Sequence, residues 1–349
     1  MPGINIGVDL GTSTVQFFVD GKGVVLSENA VTASDVQSGK TISIGSKAYR
    51  MIGRTPDSIT VHYPLREGIV SDFSASRDLM RFYLQKICGN RIFKPNLVLC
   101  MPTDVTSLEK RTLLNLAAAA GAARACLIEK PLAAALGAGV DYRRPRGTLI
   151  VDIGAGTTEI AVVTMGNIAV SESLHVAGNA FDEAIRRYIR RERDILIGRL
   201  TAENIKQKIG CAYLREAEIA ILVKGKSYLS GMPVLFEVTT TEVFLAIREQ
   251  LEQIAAAVCS VLSRTPPELA GDISENGIVL TGGSANLPGI DKLIERKTRI
   301  PTTVAESPQD CAARGIGTAL KHMDILTGNG YFFKTPGDTA DSSNSGIKY

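Results

Sequence analysis

The feature that most constrains this chain is a pattern that occurs twice. A run of β-formers ends in Asp-x-Gly, turns tightly, and continues into a second apolar, β-branched run. The first copy is Ile4-Asn5-Ile6-Gly7-Val8-Asp9-Leu10-Gly11-Thr12, followed by Val15 to Val19 and the turn Asp20-Gly21. The second is Thr148-Leu149-Ile150-Val151-Asp152-Ile153-Gly154-Ala155-Gly156-Thr157-Thr158, followed by Ile160 to Val163. Each reads as a hairpin of strand, glycine turn and strand. The two aspartates stand 143 residues apart (152 − 9). Self-similarity at that distance points to two related lobes, not to a short-period solenoid. A chain of 349 residues has room for both.

An aspartate at a strand end before a glycine turn has a definite chemical use. The glycines let backbone N–H groups converge as an anion-binding nest, and the carboxylate holds Mg²⁺ through water. Asp9 with Gly11 and Thr12 forms one such arrangement; Asp152 with Gly154, Gly156, Thr157 and Thr158 forms the other. Opposed across a cleft, the two would grip the β- and γ-phosphates of a nucleotide. One Asp-x-Gly turn alone is a common hairpin; two copies with matching strands carry more weight. A third glycine loop, Leu280-Thr281-Gly282-Gly283-Ser284-Ala285-Asn286, follows the buried strand that starts at Ile278. Adjacent glycines there let a nucleotide approach the backbone and open a helix whose N-terminus favours phosphate. Taken alone, the same glycines are explained by a tight strand-to-helix turn.

Composition excludes several classes. The net charge is +3, tryptophan is absent and aromatics make up 5% of the chain, which argues against a nucleic-acid partner. The six cysteines are scattered without a Cys-x-x-Cys pair, so reduced thiols of a cytoplasmic protein are expected, not a disulfide framework or a zinc site. The start, Met1-Pro2-Gly3-Ile4, shows neither a basic n-region nor an apolar h-region, so no signal peptide is expected, and no apolar run is long enough to predict a membrane-spanning helix.

Between the hairpins, Leu97 to Met101 reads as a buried strand stopped by Pro102. Leu108 to Ala123 and Glu129 to Gly139 read as helices, the second with proline near its start. Beyond the second hairpin, helical patterns cover Phe181 to Arg193, Glu203 to Gly210 and Thr241 to Leu262, and Val234 to Val238 is strand-like. The helix Phe181 to Arg193 carries Arg186, Arg187, Arg190, Arg191 and Arg193. That is a solvated basic face or a contact for a neighbouring subunit or acidic partner.

Together these motifs resemble the actin superfamily and, within it, the MreB-like (MreB and Mbl) bacterial filament proteins. The resemblance runs from Ile4 to about Leu326. It includes Met51-Ile52-Gly53-Arg54-Thr55-Pro56, Pro64-Leu65-Arg66-Glu67-Gly68-Ile69, Thr201-Ala202-Glu203-Asn204-Ile205-Lys206 and Thr265-Pro266-Pro267-Glu268-Leu269. It implies an α/β actin-like ATPase fold, with two related ribonuclease H-like lobes, each bearing a smaller subdomain. Lobe I would take residues 1–30, 65–139 and 311–328, with subdomain 31–64. Lobe II would take 140–177 and 242–310, with subdomain 178–241, and 329–349 would be a disordered tail.

The resemblance further implies ATP or ADP with Mg²⁺ as ligand. The first phosphate loop would be Gly11, Thr12 and Ser13; the second, Gly154, Ala155, Gly156, Thr157 and Thr158. Asp9 and Asp152 would be the magnesium carboxylates. Glu203 and Lys206 would reach ribose and base, although from the residues alone they read as an ordinary exposed helical pair. Gly282, Gly283 and Ser284 would line the adenosine. The implied role is a cytoplasmic filament on the inner face of the cytoplasmic membrane that organises cell-wall synthesis and rod shape. Its partners would be copies of itself, a paralogous MreB and cell-wall elongation proteins. Arg91-Ile92-Phe93-Lys94 is where family members insert into the bilayer, and an apolar wedge between cations fits that use. From the residues alone, Ile92 and Phe93 serve equally well to cover the end of the next strand.

One departure bears on chemistry. Family members usually begin the helix after the first lobe's last strand with Glu-Glu-Pro, and the second glutamate helps position the attacking water. Here the segment is Glu129-Lys130-Pro131. An ordinary lysine, with a pKa of about 10.4, is protonated at neutral pH and accepts no proton from water. It pairs instead with phosphate as a point charge. Glu129 is a weak substitute because neighbouring side chains point in different directions. Thr157, the other water-positioning residue, is present. Slow or absent ATP hydrolysis with binding retained is expected. Ser13-Thr14-Val15, Ala155 and Ser284 are smaller departures in the same loops. The alternative role is a nucleotide-binding, hydrolysis-poor scaffold for filaments of a related protein. A DnaK-type chaperone would need a further domain, and a sugar kinase would need a catalytic carboxylate beside an acceptor pocket.

Overall fold

The computed structural model describes residues 4–89, 94–141, 143–322 and 331–335. The chain folds into two compact units. One comprises residues 1–145, 163–168 and 310–349; the other comprises 146–162 and 169–309.

The first unit is built on a five-stranded sheet in the order Arg124–Glu129, Asn96–Met101, Asn5–Leu10, Thr14–Val19, Gly23–Asn29. The last three form an antiparallel meander, whereas Asn96–Met101 runs parallel to both Asn5–Leu10 and Arg124–Glu129. Parallel strands need crossovers, and the helices Phe73–Cys88 and Ser107–Ala120 supply them. Asp72 caps the first of these by accepting from the Ala75 N–H. Thr106 and Glu109 form a capping box on the second, which ends at Gly121 in the left-handed region. Leu79, Met80, Leu97, Leu99 and Leu116 are fully buried between sheet and helices. A separate three-stranded sheet, Thr41–Ile44, Thr32–Asp35, Ile59–His62, has its own small core around Val31, Ala33 and Ala48.

The second unit's main sheet has the same plan: Asn167–Leu174, Thr158–Thr164, Thr148–Ile153, Ile278–Thr281, Thr302–Val304. Again a meander is extended by parallel strands. The long helix Thr240–Arg264, started by a Thr239–Glu242 capping box, buries Val243, Ile247, Leu251, Ile254 and Val258 in this unit's core. A second three-stranded sheet joins Ile195–Leu196, Ala220–Ser227 and Pro233–Thr239. The strand Ala220–Ser227 has no clear signal in the sequence, because Lys224-Gly225-Lys226 interrupts the apolar pattern.

Three expectations shift. The helix expected from Glu129 begins at Lys130, and Glu129 closes the preceding strand as an extended N-cap. Pro131 then sits in the first turn, where its missing N–H costs nothing. The helix expected directly after Gly282-Gly283 is a short 3-10 turn, Gly283–Asn286, and the α-helix begins only at Ile290. Within the stretch expected to be a disordered tail, residues 331–335 lie along the sheet edge. The Ala125 N–H donates to the Lys334 carbonyl at 3.0 Å, and the Lys334 N–H donates to the Ala125 carbonyl at 2.7 Å. The Arg124 guanidinium lies over the Phe333 ring, 5.3 Å from its centroid. Of the basic helix Gly178–Arg193, Arg186 meets Glu183 and the Ile197 carbonyl, Arg190 covers Tyr228, and Arg193 pairs with Glu242. That face is largely engaged by its own unit.

The helix Lys130–Gly137 packs backbone to backbone on the helix Cys311–Lys321. A Cβ on Gly315 would stand 1.6 Å from the Ala133 carbonyl oxygen, and one on Gly137 would stand 1.8 Å from that of Cys311. No rotamer relieves a clash with backbone. We expect Gly315→Ala to cost about 3 kcal/mol by forcing the helices apart. A fall in the urea midpoint checks this, whereas an unchanged midpoint would refute the close packing.

Candidate functional site

In the first unit, Asp9 lies near the end of its strand and pairs across the hairpin with Gln16. The turn is closed by the Gly11 N–H, which donates to the Thr14 carbonyl at 2.9 Å. A Cβ on Gly11 would approach that oxygen to 2.8 Å, so the turn needs glycine for space. The Thr12 hydroxyl accepts from the Gly68 N–H at 3.1 Å, and the Ser13 carbonyl accepts from the Ala30 N–H at 2.9 Å. The loop is thereby tied to its unit on two sides.

The Asp9 side chain is 8% exposed, and its Oδ1 has no hydrogen-bond partner. The group beside it is Lys130, whose Nζ lies 3.5 Å from that oxygen. Opposite Asp9 on the hairpin, Gln16 is buried; its Nε2 donates to Asp310 at 2.6 Å and to Ser27 at 3.2 Å, leaving its Oε1 without a hydrogen bond. Glu129 points elsewhere: its Oε2 accepts from the Tyr331 hydroxyl at 2.7 Å. Burial, reinforced by the Glu129 carboxylate, pushes the Tyr331 phenol far above its usual range. The same two causes push the Cys126 thiol up to about 12, so that cysteine is inert.

The second unit repeats the turn. The Gly154 N–H donates to the Thr157 carbonyl at 2.9 Å, the counterpart of the bond from Gly11 to Thr14. Asp152 is 2% exposed and accepts from the Thr281 hydroxyl at 2.9 Å. The Gly154 carbonyl accepts from the Gly178 N–H and the Ser284 hydroxyl, and the Ala155 carbonyl accepts from the Asn179 N–H. A trans peptide points its carbonyl and the next N–H in opposite directions. With those two carbonyls turned toward the start of helix Gly178–Arg193, the N–H groups of Ala155 and Gly156 point away from it. Two successive N–H groups turned the same way are the donors from which an anion site can be built. Gly282, at φ +84°, lets the third loop cross the Asp152 strand; a Cβ there would meet the Ile153 carbonyl oxygen at 2.4 Å. Gly283 opens the 3-10 turn that follows.

Lys206 is anchored, contrary to its reading as part of an exposed pair. Its Nζ donates to the Gly178 carbonyl at 2.8 Å and lies 2.8 Å from Asp182 Oδ1. Glu203, one turn earlier on helix Arg199–Ile209, is half-buried and accepts from Gln207. Gly178 is pinned between Lys206 and the third loop, since a Cβ there would meet the Ser284 hydroxyl at 2.7 Å and the Lys206 Nζ at 3.3 Å.

The chain matches the MreB/Mbl protein family over residues 3–328. It belongs to that family. It is 42% identical over 323 residues to the cell shape-determining protein Mbl of Bacillus subtilis (strain 168), covering 92% of this chain and 97% of that one. To the cell shape-determining protein MreB of Escherichia coli (strain K12) it is 39% identical over 331 residues, covering 93% and 95%. The crystal structure of MreB 5 of Spiroplasma citri bound to AMPPNP superposes with a TM-score of 0.90 at 36% identity, covering 95% and 99%. The fold of this MreB/Mbl-family chain is therefore the actin-like one.

Direct coordination of magnesium, which the family resemblance implies as a ligand, is a poor fit to these carboxylates as they stand. Asp9 already has an ammonium as its neighbouring cation, and Asp152 accepts from Thr281. Among the described residues no three His, Cys, Asp or Glu side chains are grouped to hold a metal. Ile92 and Phe93 lie outside the described residues. Sequence reasoning missed Asp182 and Gly178, which brace the second loop from another element, and it placed Thr281 in the third loop without its bond to Asp152. It also missed Thr14, although its place 143 residues before Thr157 (157 − 14) marks it as the matching turn residue.

Burial pushes the Asp182 carboxyl up from 3.8, and Lys206 opposes that rise. A raised folded-state pKa means the native protein holds this proton more tightly than the unfolded chain. The group's contribution to stability therefore declines as pH climbs through the window above 3.8. Lys206→Met removes the opposing charge and widens that window. The variant is expected to lose about 3–5 kcal/mol at neutral pH and distinctly less under mildly acidic conditions. Urea unfolding across that range checks it, and a pH-independent loss would exclude the linkage to Asp182.

Proposed function

We propose that this chain is a nucleotide-binding filament protein. It binds ATP or ADP through its phosphate loops, assembles with copies of itself or a paralogue, and hydrolyses ATP slowly or not at all. The observation that carries this reading is the pair of equivalent turns, Asp9 to Thr14 and Asp152 to Thr157, each closed by the same glycine N–H bond. The outward N–H groups of Ala155 and Gly156 suit a phosphate, and Lys130 suits its charge. The adenine nucleotides named for the Spiroplasma citri structures, ADP and AMPPNP, support the ligand class. Glu203, Lys206, Gly282, Gly283 and Ser284 would lie on the ribose and adenosine side. Magnesium, in this reading, would arrive on the nucleotide.

The names of the curated relatives support a part in cell shape. The filament would lie on the inner face of the cytoplasmic membrane, with Ile92 and Phe93 as an apolar anchor, and would organise the cell-wall elongation proteins. No helix among the described residues is long and apolar enough to cross a membrane. A second reading, a scaffold that binds nucleotide without turnover, is favoured by Lys130, which stands on Asp9 where a proton acceptor is needed.

Restoring the carboxylate separates poor hydrolysis from ordinary hydrolysis. Lys130→Glu is expected to raise the single-turnover rate by about tenfold or more, since a positioned general base contributes at least that much. A wild-type rate equal to the variant's would overturn the hydrolysis-poor reading. Electron microscopy with ATP and lipid tests for filaments. The Ile92→Ser, Phe93→Ser double variant should lose most co-sedimentation with anionic liposomes, and wild-type recovery would exclude the loop as anchor.

A further inference from the structure

The first-unit turn carries an unusual charge arrangement. Asp9 is a buried carboxylate at the phosphate loop, with an Oδ1 that no donor satisfies. A bare carboxylate beside a polyphosphate repels it, and a divalent cation ordinarily relieves that repulsion by standing between the two. Here the Lys130 ammonium stands 3.5 Å from Asp9 and is itself only 19% exposed. Its backbone is fixed: it opens the helix Lys130–Gly137, which is locked by the glycine contacts with Cys311–Lys321. The cation is therefore presented to Asp9 from a fixed point on the backbone. Magnesium placed on Asp9 would face that ammonium at short range, and like charges in a poorly solvated site repel strongly.

We infer that the Lys130 ammonium, seated on Asp9, substitutes for magnesium at the phosphate site, so that nucleotide binding by this chain depends little on divalent cations. This rests on the nucleotide reading above and adds to it the identity of the balancing charge. Three donor hydrogens on one ammonium can serve both the Asp9 carboxylate and a phosphate oxygen. The residue that blocks proton transfer from water is then also the one that neutralises the phosphates.

The test is calorimetric titration of the full chain with AMPPNP and with ADP, in excess magnesium and in excess EDTA. For the wild-type chain the two Kd values are expected to agree within about threefold. For Lys130→Gln, Kd in EDTA should weaken by about tenfold or more, the loss of one charge contact, and magnesium should restore most of it. Wild-type binding that is tight in magnesium and weakens tenfold or more in EDTA would overturn the inference while leaving the nucleotide reading intact. So would a Lys130→Gln chain that binds like wild type in EDTA. Wild-type protein that binds neither nucleotide in either buffer would instead refute the nucleotide reading, and this inference with it. The wild-type comparison needs no variant to fold, and a thermal melt of Lys130→Gln shows whether its arm is usable.

Discussion

A single backbone hydrogen bond, from a glycine N–H to the carbonyl of the threonine three residues on, closes the turn in each unit of this chain. It appears as Gly11 to Thr14 and as Gly154 to Thr157, at 2.9 Å in both. Everything at the candidate site follows from that closure. It halts the strand just after a buried aspartate two positions earlier, and it returns the chain as the next strand of the meander. In the second unit the peptides that carry the Ala155 and Gly156 N–H groups are oriented as well, because Gly178 and Ser284 take up the Gly154 carbonyl and Asn179 takes up that of Ala155. The side chains differ between the two turns, and the differences are electrostatic. Asp9 faces an ammonium, whereas Asp152 takes a neutral hydroxyl from Thr281.

Much of this was legible in the sequence because glycine and β-branched residues are strong local signals. The two hairpins, the buried strand after Lys94-Pro95 and the long helix beginning near Thr241 all announce themselves through spacing and caps. So does the divergence of Glu129 and Lys130, since adjacent residues at a strand-to-helix junction cannot share a direction. What the sequence concealed depends on distant neighbours. Asp182 reads as an ordinary helix residue until Lys206 is brought to it from another helix. Gly178 looks like a loop glycine, yet it is required by contact with Ser284 and Lys206. The glycine loop at 282–283 read as the start of a helix because a turn of 3-10 helix and an α-helical first turn share the same local grammar.

The third loop and the helix Gly178–Arg193 show how the second unit holds a surface loop firm. Ser284 and Gly178 both donate to the Gly154 carbonyl, and Lys206 donates to the carbonyl of Gly178 itself. These are short-range bonds between elements far apart in sequence, so the loop's geometry is set by the packed unit and not by its own flexible glycines. A preorganised loop loses little freedom when it meets a ligand, which favours tight recognition of a small anion.

The segment 331–335 has a consequence of a different kind. The strand Arg124–Glu129 lies at the margin of its sheet, and a bare margin of that kind is a template on which a strand from another molecule can build. By pairing Lys334 with Ala125 in both directions, the chain covers part of that margin with its own backbone, and the bond from Tyr331 to Glu129 pins the cover at one end. Copies of this protein cannot zip together over that stretch of the margin while the cover is in place. Removing it would uncover the strand that leads directly into Lys130, so the protection of a sticky edge and the seating of the site's cation share one short piece of chain.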